Sequence, residues 1–147
     1  MNTNYTEIYT SANPLKPSTY SRRVVLAVSG LSPQILTETL YALASSSEDT
    51  FIPTEVHLIT SAEGARRAEL SLLSQDMGWF HRLCQDYRLP EIKFDKSHIH
   101  VMCDAKGHPM SDIRTQQDNK AAADFITAHV RSLTADSDCA LHASIAG

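Results

Sequence analysis

Residues 22–40 read RRVVLAVSGLSPQILTETL and join a short apolar run to a helical pattern. The run at residues 24–28 is rich in valine and stops at a Ser-Gly pair, which is typical of a strand buried on both faces. The Ser-Pro pair at residues 32–33 can cap and open a helix, and apolar residues recur at helical spacing after it. This stretch therefore predicts a strand, a tight loop and a helix.

The same alternation continues along the chain. Three more short apolar runs predict strands near residues 56–60, 99–102 and 140–145. Helical patterns are expected over residues 65–73, 79–87 and 115–133. Strands that alternate with helices form parallel sheets with right-handed crossovers. The predicted fold class is α/β, a Rossmann-like parallel sheet with helices on both faces, truncated after its fourth strand.

The chain of 147 residues is long enough for one domain. Residues 1–21 contain two prolines and show no helical or strand periodicity, so we expect a flexible N-terminal arm or a strand added to another element. Residues 22–147 are expected to form the N-terminal part of a Rossmann domain, because doubly wound sheets normally have more than four strands. Such a partial sheet exposes apolar surface, so self-association is expected.

Composition excludes several classes of protein. The 13 Lys and Arg residues against 17 Asp and Glu residues give a formal charge of -4, so the chain lacks the positive field of a duplex-DNA-binding protein. No apolar run approaches the roughly 20 residues that span a membrane, and no secretory signal is recognisable, so the expected compartment is the cytoplasm. Three cysteines without CxxC spacing indicate reduced thiols rather than disulfides or structural zinc.

Ligands of open α/β sheets bind beyond the carboxyl ends of the strands, where strand order reverses. This rule selects the loop at residues 29–34 and the segment at residues 144–147. In the first loop, a glycine permits close approach and free N–H groups lie at the positive end of a helix, which favours a phosphate group. The loop matches neither the dinucleotide fingerprint nor the P-loop, so an ordinary NAD enzyme or P-loop ATPase is disfavoured.

Other polar residues allow a functional and a structural interpretation. Ser32 either contacts a ligand or only caps the helix that follows. Thr60 and Glu63 have the spacing of a capping box, although they flank the same crevice. Asp112 and Arg114 offer a carboxylate and a two-pronged phosphate binder just before a helix, or else a surface ion pair.

Aromatic and imidazole side chains give weaker signals. His98 and His100 lie on one face of a predicted strand and could ligate a metal, but the sequence places no third ligand beside them, so we assign no metal site. Trp79 and Phe80 are expected to pack rather than to stack on a base. No cofactor is expected.

Residues 31–43, LSPQILTETLYAL, resemble the CRISPR-associated Rossmann-fold (CARF) proteins of type III CRISPR systems, specifically the branch that includes stand-alone ring nucleases. Further matches occur, in order, at residues 53–57, 60–64, 112–119 and 141–147. The resemblance implies recognition of a cyclic oligoadenylate, most simply the four-adenosine ring, on the two-fold axis of a homodimer. A ring with repeated phosphates can give each protomer an equivalent half.

Ring nucleases of this family cleave without metal, and the ribose 2′-hydroxyl attacks the neighbouring phosphate while the enzyme positions it and stabilises charge. Ser32 matches the serine of the family's G-x-S-P loop and is the expected catalytic residue. The expected ligand-binding residues are Ser29, Gly30, Leu31, Gln34, Thr60, Ser61, Gly64, Asp112, Arg114, Ser144, Ala146 and Gly147. Beyond this segment the family pattern continues with a basic pair that assists cleavage, so weak cleavage is expected from residues 1–147 alone.

Three alternatives stay open at this point. The chain is a sensor that binds the ring without cutting it, or a remnant without activity. It could also be an unrelated Rossmann-like enzyme that acts on a mononucleotide or a methyl donor. Neither duplex nucleic acid nor a membrane is an expected partner.

Overall fold

Strand β2 (Arg22–Val28) lies in the middle of the sheet, where the sequence predicts a strand buried on both faces. Its residues 24–28 are at most 7% exposed, so the apolar run does fill the interior. The structure is a computed structural model that describes residues 5–11, 16–45, 51–75 and 78–146.

The elements follow the predicted alternation, with boundaries within a few residues of those expected. The other strands are β1 (Tyr5–Ser11), β3 (Glu55–Thr60), β4 (Ile99–Val101) and β5 (Cys139–Ala146). The α-helices are α1 (Gln34–Ser45), α2 (Ala62–Leu72), α3 (Trp79–Asp86) and α4 (Gln116–Thr134). Short 3₁₀ turns at Pro17–Thr19 and Lys96–His98 precede β2 and β4.

The sheet has the order β1-β5-β2-β3-β4. Strands β5, β2, β3 and β4 are parallel to one another, which confirms the predicted α/β fold. The chain moves outward from β2 through β3 to β4 and then returns through α4 to β5, on the other side of β2. The strand order therefore reverses between β2 and β5, and this is the switch point at which open sheets bind ligands.

Strand β1 comes from the segment that the sequence assigns to a flexible arm or to a strand added to another element. It pairs antiparallel with β5 over seven residue pairs, from Tyr5 opposite Ala146 to Ser11 opposite Ala140. Residues 5–11 therefore match the expectation of a strand added to another element, and not that of a flexible arm. Because β1 covers the outer edge of β5, it occupies backbone groups that an exposed edge would offer to another chain.

Helices cover both faces of the sheet, and each face has its own core. Residues Val25 and Leu58 belong to the core beneath α1, α2 and α3, together with Leu36, Leu72 and Phe80. On the other face, residues of β2, β3 and β5 pack against α4, whose Ala122 and Leu133 are buried. Among the described residues, no helix combines the length and hydropathy needed to cross a membrane.

The start of α2 differs from the predicted capping box. The N-cap is Ser61, whose Oγ accepts a hydrogen bond from the Gly64 N–H at 3.1 Å. Thr60 is instead the last residue of β3, and its hydroxyl donates to the Gly30 carbonyl at 2.7 Å. The pairing of Thr60 with Glu63 is therefore wrong, because Thr60 finds an acceptor in a distant loop. At α4 the N-cap is Thr115, and the Asp118 side chain completes a capping box.

Candidate functional site

The loop after β2 is fastened to the start of α2 through the carbonyl of Gly30. That carbonyl accepts the Thr60 hydroxyl at 2.7 Å and the Ser61 hydroxyl at 3.3 Å. The buried Ser29 donates its backbone N–H to the carbonyl of Ile59 at 3.0 Å. These bonds fix the loop at the carboxyl end of the sheet, so its exposed residues have a defined position.

Gly64 is buried against the same loop. A Cβ at this position would lie 2.0 Å from the Thr60 Oγ1 and 2.1 Å from the Gly30 carbonyl oxygen. Only glycine allows this approach without movement of the backbone. Thr60, Ser61 and Gly64, all expected to bind ligand, are therefore placed beneath the loop, where they hold Gly30 in position.

Ser32 lies at the open side of the loop and is exposed. Within the described parts of the chain its hydroxyl has no hydrogen-bond partner, and α1 begins only at Gln34. The first backbone bond at this end of α1 runs from the Leu36 N–H to the Pro33 carbonyl at 3.2 Å. The N–H groups that precede Leu36 at a helix start point outward and favour an anion.

A groove of about 720 Å³ opens beside Ser32, between α1 and α2. Its lining is formed by Leu31, Ser32, Pro33, Gln34, Thr37, Glu38, Arg67, Leu70, Ser71, Leu72 and Trp79. Three of the sequence-predicted residues, Leu31, Ser32 and Gln34, are thus brought together on one surface. This volume lies within the range of roughly 300–1,000 Å³ that is usual for small-molecule sites.

Trp79 and Arg67 also line the groove, although their sequence context predicts no ligand-binding role for either. Trp79 is 55% exposed, whereas its neighbour Phe80 is 4% exposed and packs in the core. The expectation that both rings pack is therefore correct for Phe80 and wrong for Trp79. The Arg82 guanidinium carbon lies 4.9 Å from the centre of the Trp79 ring. Arg67 adds a cation whose Nε is 3.5 Å from Glu63 Oε1.

Ser144, near the end of β5, makes a structural contact. Ser144 is fully buried, and its Oγ lies 3.1 Å from the Thr39 Oγ1 of α1. This bond ties α1 to β5 across the switch point. Ala146 ends β5 and pairs with Tyr5, whereas Gly147 lies outside the described residues.

Asp112 and Arg114 form an exposed ion pair in the loop before α4. The Arg114 Nε lies 3.1 Å from the Asp112 Oδ2, and the two side chains are 81% and 60% exposed. This hydrogen bond lowers the pKa of Asp112. The pair does not line the groove, so the structure places the groove's guanidinium on Arg67 of α2.

His98 and His100 lie near the start of β4, away from the groove. His100 faces α4, and its ring centre is 4.6 Å from that of His129. Burial, with a smaller contribution from the nearby charge of His129, lowers the pKa of His100 to about 4. These two histidines are therefore separate from the loop at residues 29–34.

Comparison with protein-family models matches residues 32–147 to the family described as CRISPR-associated protein NE0113. Searches of curated proteins and of solved structures gave no match. The matched residues make up more than half of the chain and include Ser32, Arg67 and Trp79 of the groove. The chain therefore belongs to the NE0113 family of CRISPR-associated proteins.

Proposed function

We propose that this CRISPR-associated protein recognises a cyclic oligoadenylate, most simply the cyclic tetra-adenylate, in the groove beside Ser32. The observation that carries the proposal is the convergence, in one groove beside the loop after β2, of four features: the Ser32 hydroxyl, which has no partner among the described residues, the start of α1, the Arg67 guanidinium and the exposed Trp79 indole. The resemblance of residues 31–43 to CARF proteins supports the same ligand. The association with CRISPR systems rests on the family match and not on the geometry of the groove.

Each part of the groove suits one part of an adenylate. The start of α1 and the Ser32 hydroxyl can donate hydrogen bonds to a phosphate, and Arg67 can add a charge-assisted bond. Trp79 offers a flat surface for adenine, and base stacking on an aromatic ring contributes about 1–3 kcal/mol. Leu31 and Leu70, which are 49% and 74% exposed, would be covered by the sugar and base.

The size of the ring supports a dimer. Grooves of roughly 300–1,000 Å³ enclose drug-sized molecules, and a ring of four adenylates exceeds that class. One chain would therefore hold part of the ring, and a second chain related by a two-fold axis would hold an equivalent part. We accordingly propose a homodimer as the ligand-binding form.

Cleavage would require a group to accept a proton and a group to stabilise negative charge. In the groove these are the Glu38 carboxylate and the Arg67 guanidinium, with Ser32 orienting the phosphate. In that reaction Glu38 takes the proton of the 2′-hydroxyl while the 2′-oxygen bonds to phosphorus. The bond from phosphorus to the 5′-oxygen breaks, and the 5′-oxygen takes up a proton from water, so that a 2′,3′-cyclic phosphate and a 5′-hydroxyl result. A sensor would make the same contacts without this step.

Incubation with cyclic tetra-adenylate, followed by chromatography of the products and a thermal melt, tests the proposal. Linear products support a ring nuclease, whereas an unchanged ring with a raised Tm supports a sensor. An equal rise of Tm with ATP would favour an unrelated nucleotide-binding enzyme. No rise of Tm and no products at saturating ring would contradict ring recognition.

A further inference from the structure

A second group of polar side chains lies at the amino end of the parallel strands, opposite the groove. Glu55 and His57 are two residues apart on β3, and His98 precedes β4, which is the neighbouring strand. The three side chains are only 14%, 14% and 18% exposed. They lie on the sheet face that α4 covers, because His100 of the same cluster contacts His129 of α4.

The potential ligand atoms of these three residues are close enough to share one ion. One atom from each of Glu55, His57 and His98 lies within 4.8 Å of the other two. A tetrahedral Zn²⁺ bound at about 2.1 Å holds its ligand atoms roughly 3.4 Å apart, so side-chain adjustment alone would close the site. Two imidazoles and one carboxylate form a donor set that suits Zn²⁺ and related divalent ions.

Both rings of the cluster also have a partner for their second nitrogen. The His57 Nε2 lies 2.8 Å from the Glu55 Oε2, and its Nδ1 lies 2.9 Å from the His100 Nε2. The His98 Nδ1 accepts a hydrogen bond from the Asp95 backbone N–H at 3.2 Å and lies 3.3 Å from the Asp95 Oδ1. Metal-bound histidines usually donate their other ring N–H to a nearby acceptor. In the metal-bound form His57 Nδ1–H would donate to His100 Nε2, and His98 Nδ1–H would donate to the Asp95 carboxylate.

The carboxylate is oriented in a similar way. The Arg22 Nε donates to Glu55 Oε1, which leaves Oε2 on the side of His57. Arg22 itself is shared with Asp136, at 3.5 Å from its Oδ2, so its positive charge is partly compensated. A ligating carboxylate that is held by a hydrogen bond to its other oxygen is usual in metal sites.

We propose that Glu55, His57 and His98 form a binding site for a divalent transition metal ion of the Zn²⁺ type, remote from the oligoadenylate groove. The ion would link β3 to the turn Lys96–His98 and thus fasten the three-residue edge strand β4. Its expected role is stabilisation of this edge of the sheet. The proposal does not depend on the ligand of the groove.

The test uses the full chain, stripped with a chelator and then titrated with Zn²⁺ by calorimetry and with Co²⁺ by absorption spectroscopy. We expect one ion per chain, a higher Tm with Zn²⁺, and Co²⁺ bands of a tetrahedral site with nitrogen and oxygen ligands. His98→Gln and Glu55→Gln should each weaken Zn²⁺ binding at least tenfold. His108→Gln is the matched control, because His108 is 73% exposed in another loop, and it should bind Zn²⁺ like the unaltered chain.

Three results would overturn the proposal. They are absence of Zn²⁺ binding, equal Zn²⁺ affinity in His98→Gln and His108→Gln, and Co²⁺ charge-transfer bands that indicate cysteine ligands. If a variant fails to fold, histidine NMR of the unaltered chain shows whether Zn²⁺ binds at this site. Zn²⁺ should shift the ring signals of His57 and His98 and leave those of His108 in place, and the opposite pattern would refute the site.

Discussion

The Ser32 hydroxyl makes no structural contact among the described residues, whereas the neighbouring Thr60 and Ser61 hydroxyls both hold the Gly30 carbonyl. Ser32 and Thr60 are thus both polar residues beside one loop, yet one is exposed and the other fully buried. Substitution should separate these roles. Substitution of Ser32 should lower the affinity for the ligand, and substitution of the buried residues should lower the stability of the fold.

Ser32→Ala is expected to change unfolding free energy by no more than about 0.5 kcal/mol, as for other exposed substitutions. Loss of a hydrogen bond to a charged phosphate should weaken ring binding by roughly 10- to 100-fold. Urea denaturation and calorimetric titration with cyclic tetra-adenylate measure the two effects. Ser132→Ala, an exposed serine on α4, is the control. A loss of stability near 1 kcal/mol with unchanged affinity would instead make Ser32 a helix cap.

Gly64→Ala should destabilise the chain by about 1–3 kcal/mol or more, because its Cβ would overlap the Gly30 carbonyl oxygen. Gly30→Ala is the matched control, since a Cβ there meets nothing within 4 Å. Urea denaturation of both variants measures the difference. Equal stabilities would show that the start of α2 is not packed against the loop after β2 as described.

Residue spacing could predict the loop at residues 29–34 but not the residues that hold it in place. Ser29, Gly30 and Ser32 lie within four consecutive residues, so the end of a buried strand and the start of a helix predict them. The sequence around Thr60 predicts a local cap, because nothing in its neighbours shows that its hydroxyl reaches Gly30. Arg67 and Trp79 were missed because only the packing of α1, α2 and α3 brings them to Ser32.

At the scale of elements, the position of α1 depends on a buried polar contact with β5. The Thr39 Oγ1 and Ser144 Oγ are 3.1 Å apart, and both residues are at most 3% exposed. A buried hydroxyl that loses its partner costs about 1–3 kcal/mol. This contact joins α1 to β5 across the switch point, and it therefore helps to position α1 on the sheet.

Thr39→Val and Ser144→Ala should therefore each lower the unfolding free energy by about 1–3 kcal/mol. The double variant should be less destabilised than the sum of the two, because neither hydroxyl is left alone. Urea denaturation of all four proteins gives the coupling, which we expect to be at least about 0.5 kcal/mol. Additive losses would mean that the two hydroxyls do not interact.

Deletion of residues 1–11 should lower the Tm and increase self-association, because it removes β1 and exposes the edge of β5. Thermal melts and light scattering measure both effects. Deletion of residues 1–4 alone, which precede β1, is the control and should have little effect. An unchanged Tm after the longer deletion would show that β1 does not contribute to stability.

Strand β1 is an element that sequence periodicity could not predict. The central parallel strands were predictable because burial on both faces requires continuous apolar runs. Residues 5–11 lack such a run or a clear alternation, and their pairing with β5 is made through backbone groups. Periodicity alone therefore left two expectations open for this segment.

At the scale of the whole molecule, the sheet has two polar ends with different chemistry. The loop at the carboxyl end presents Ser32 to a groove that Arg67 and the exposed Trp79 also line. The amino end brings Glu55 and His57 beside His98. Because the parallel strands separate the two ends, substitutions at one should leave binding at the other unchanged. The fold class could be predicted from the sequence, whereas this division required the structure.

Calorimetric titration of the full chain with cyclic tetra-adenylate, with ATP in a parallel titration at the same salt concentration, tests ring recognition most directly. We predict one ring bound per two chains, with much higher affinity than ATP and with a large loss of affinity in both Ser32→Ala and Arg67→Gln. Equal affinity for ATP and the ring, or ring binding that both substitutions leave unchanged, would contradict recognition of the ring in this groove.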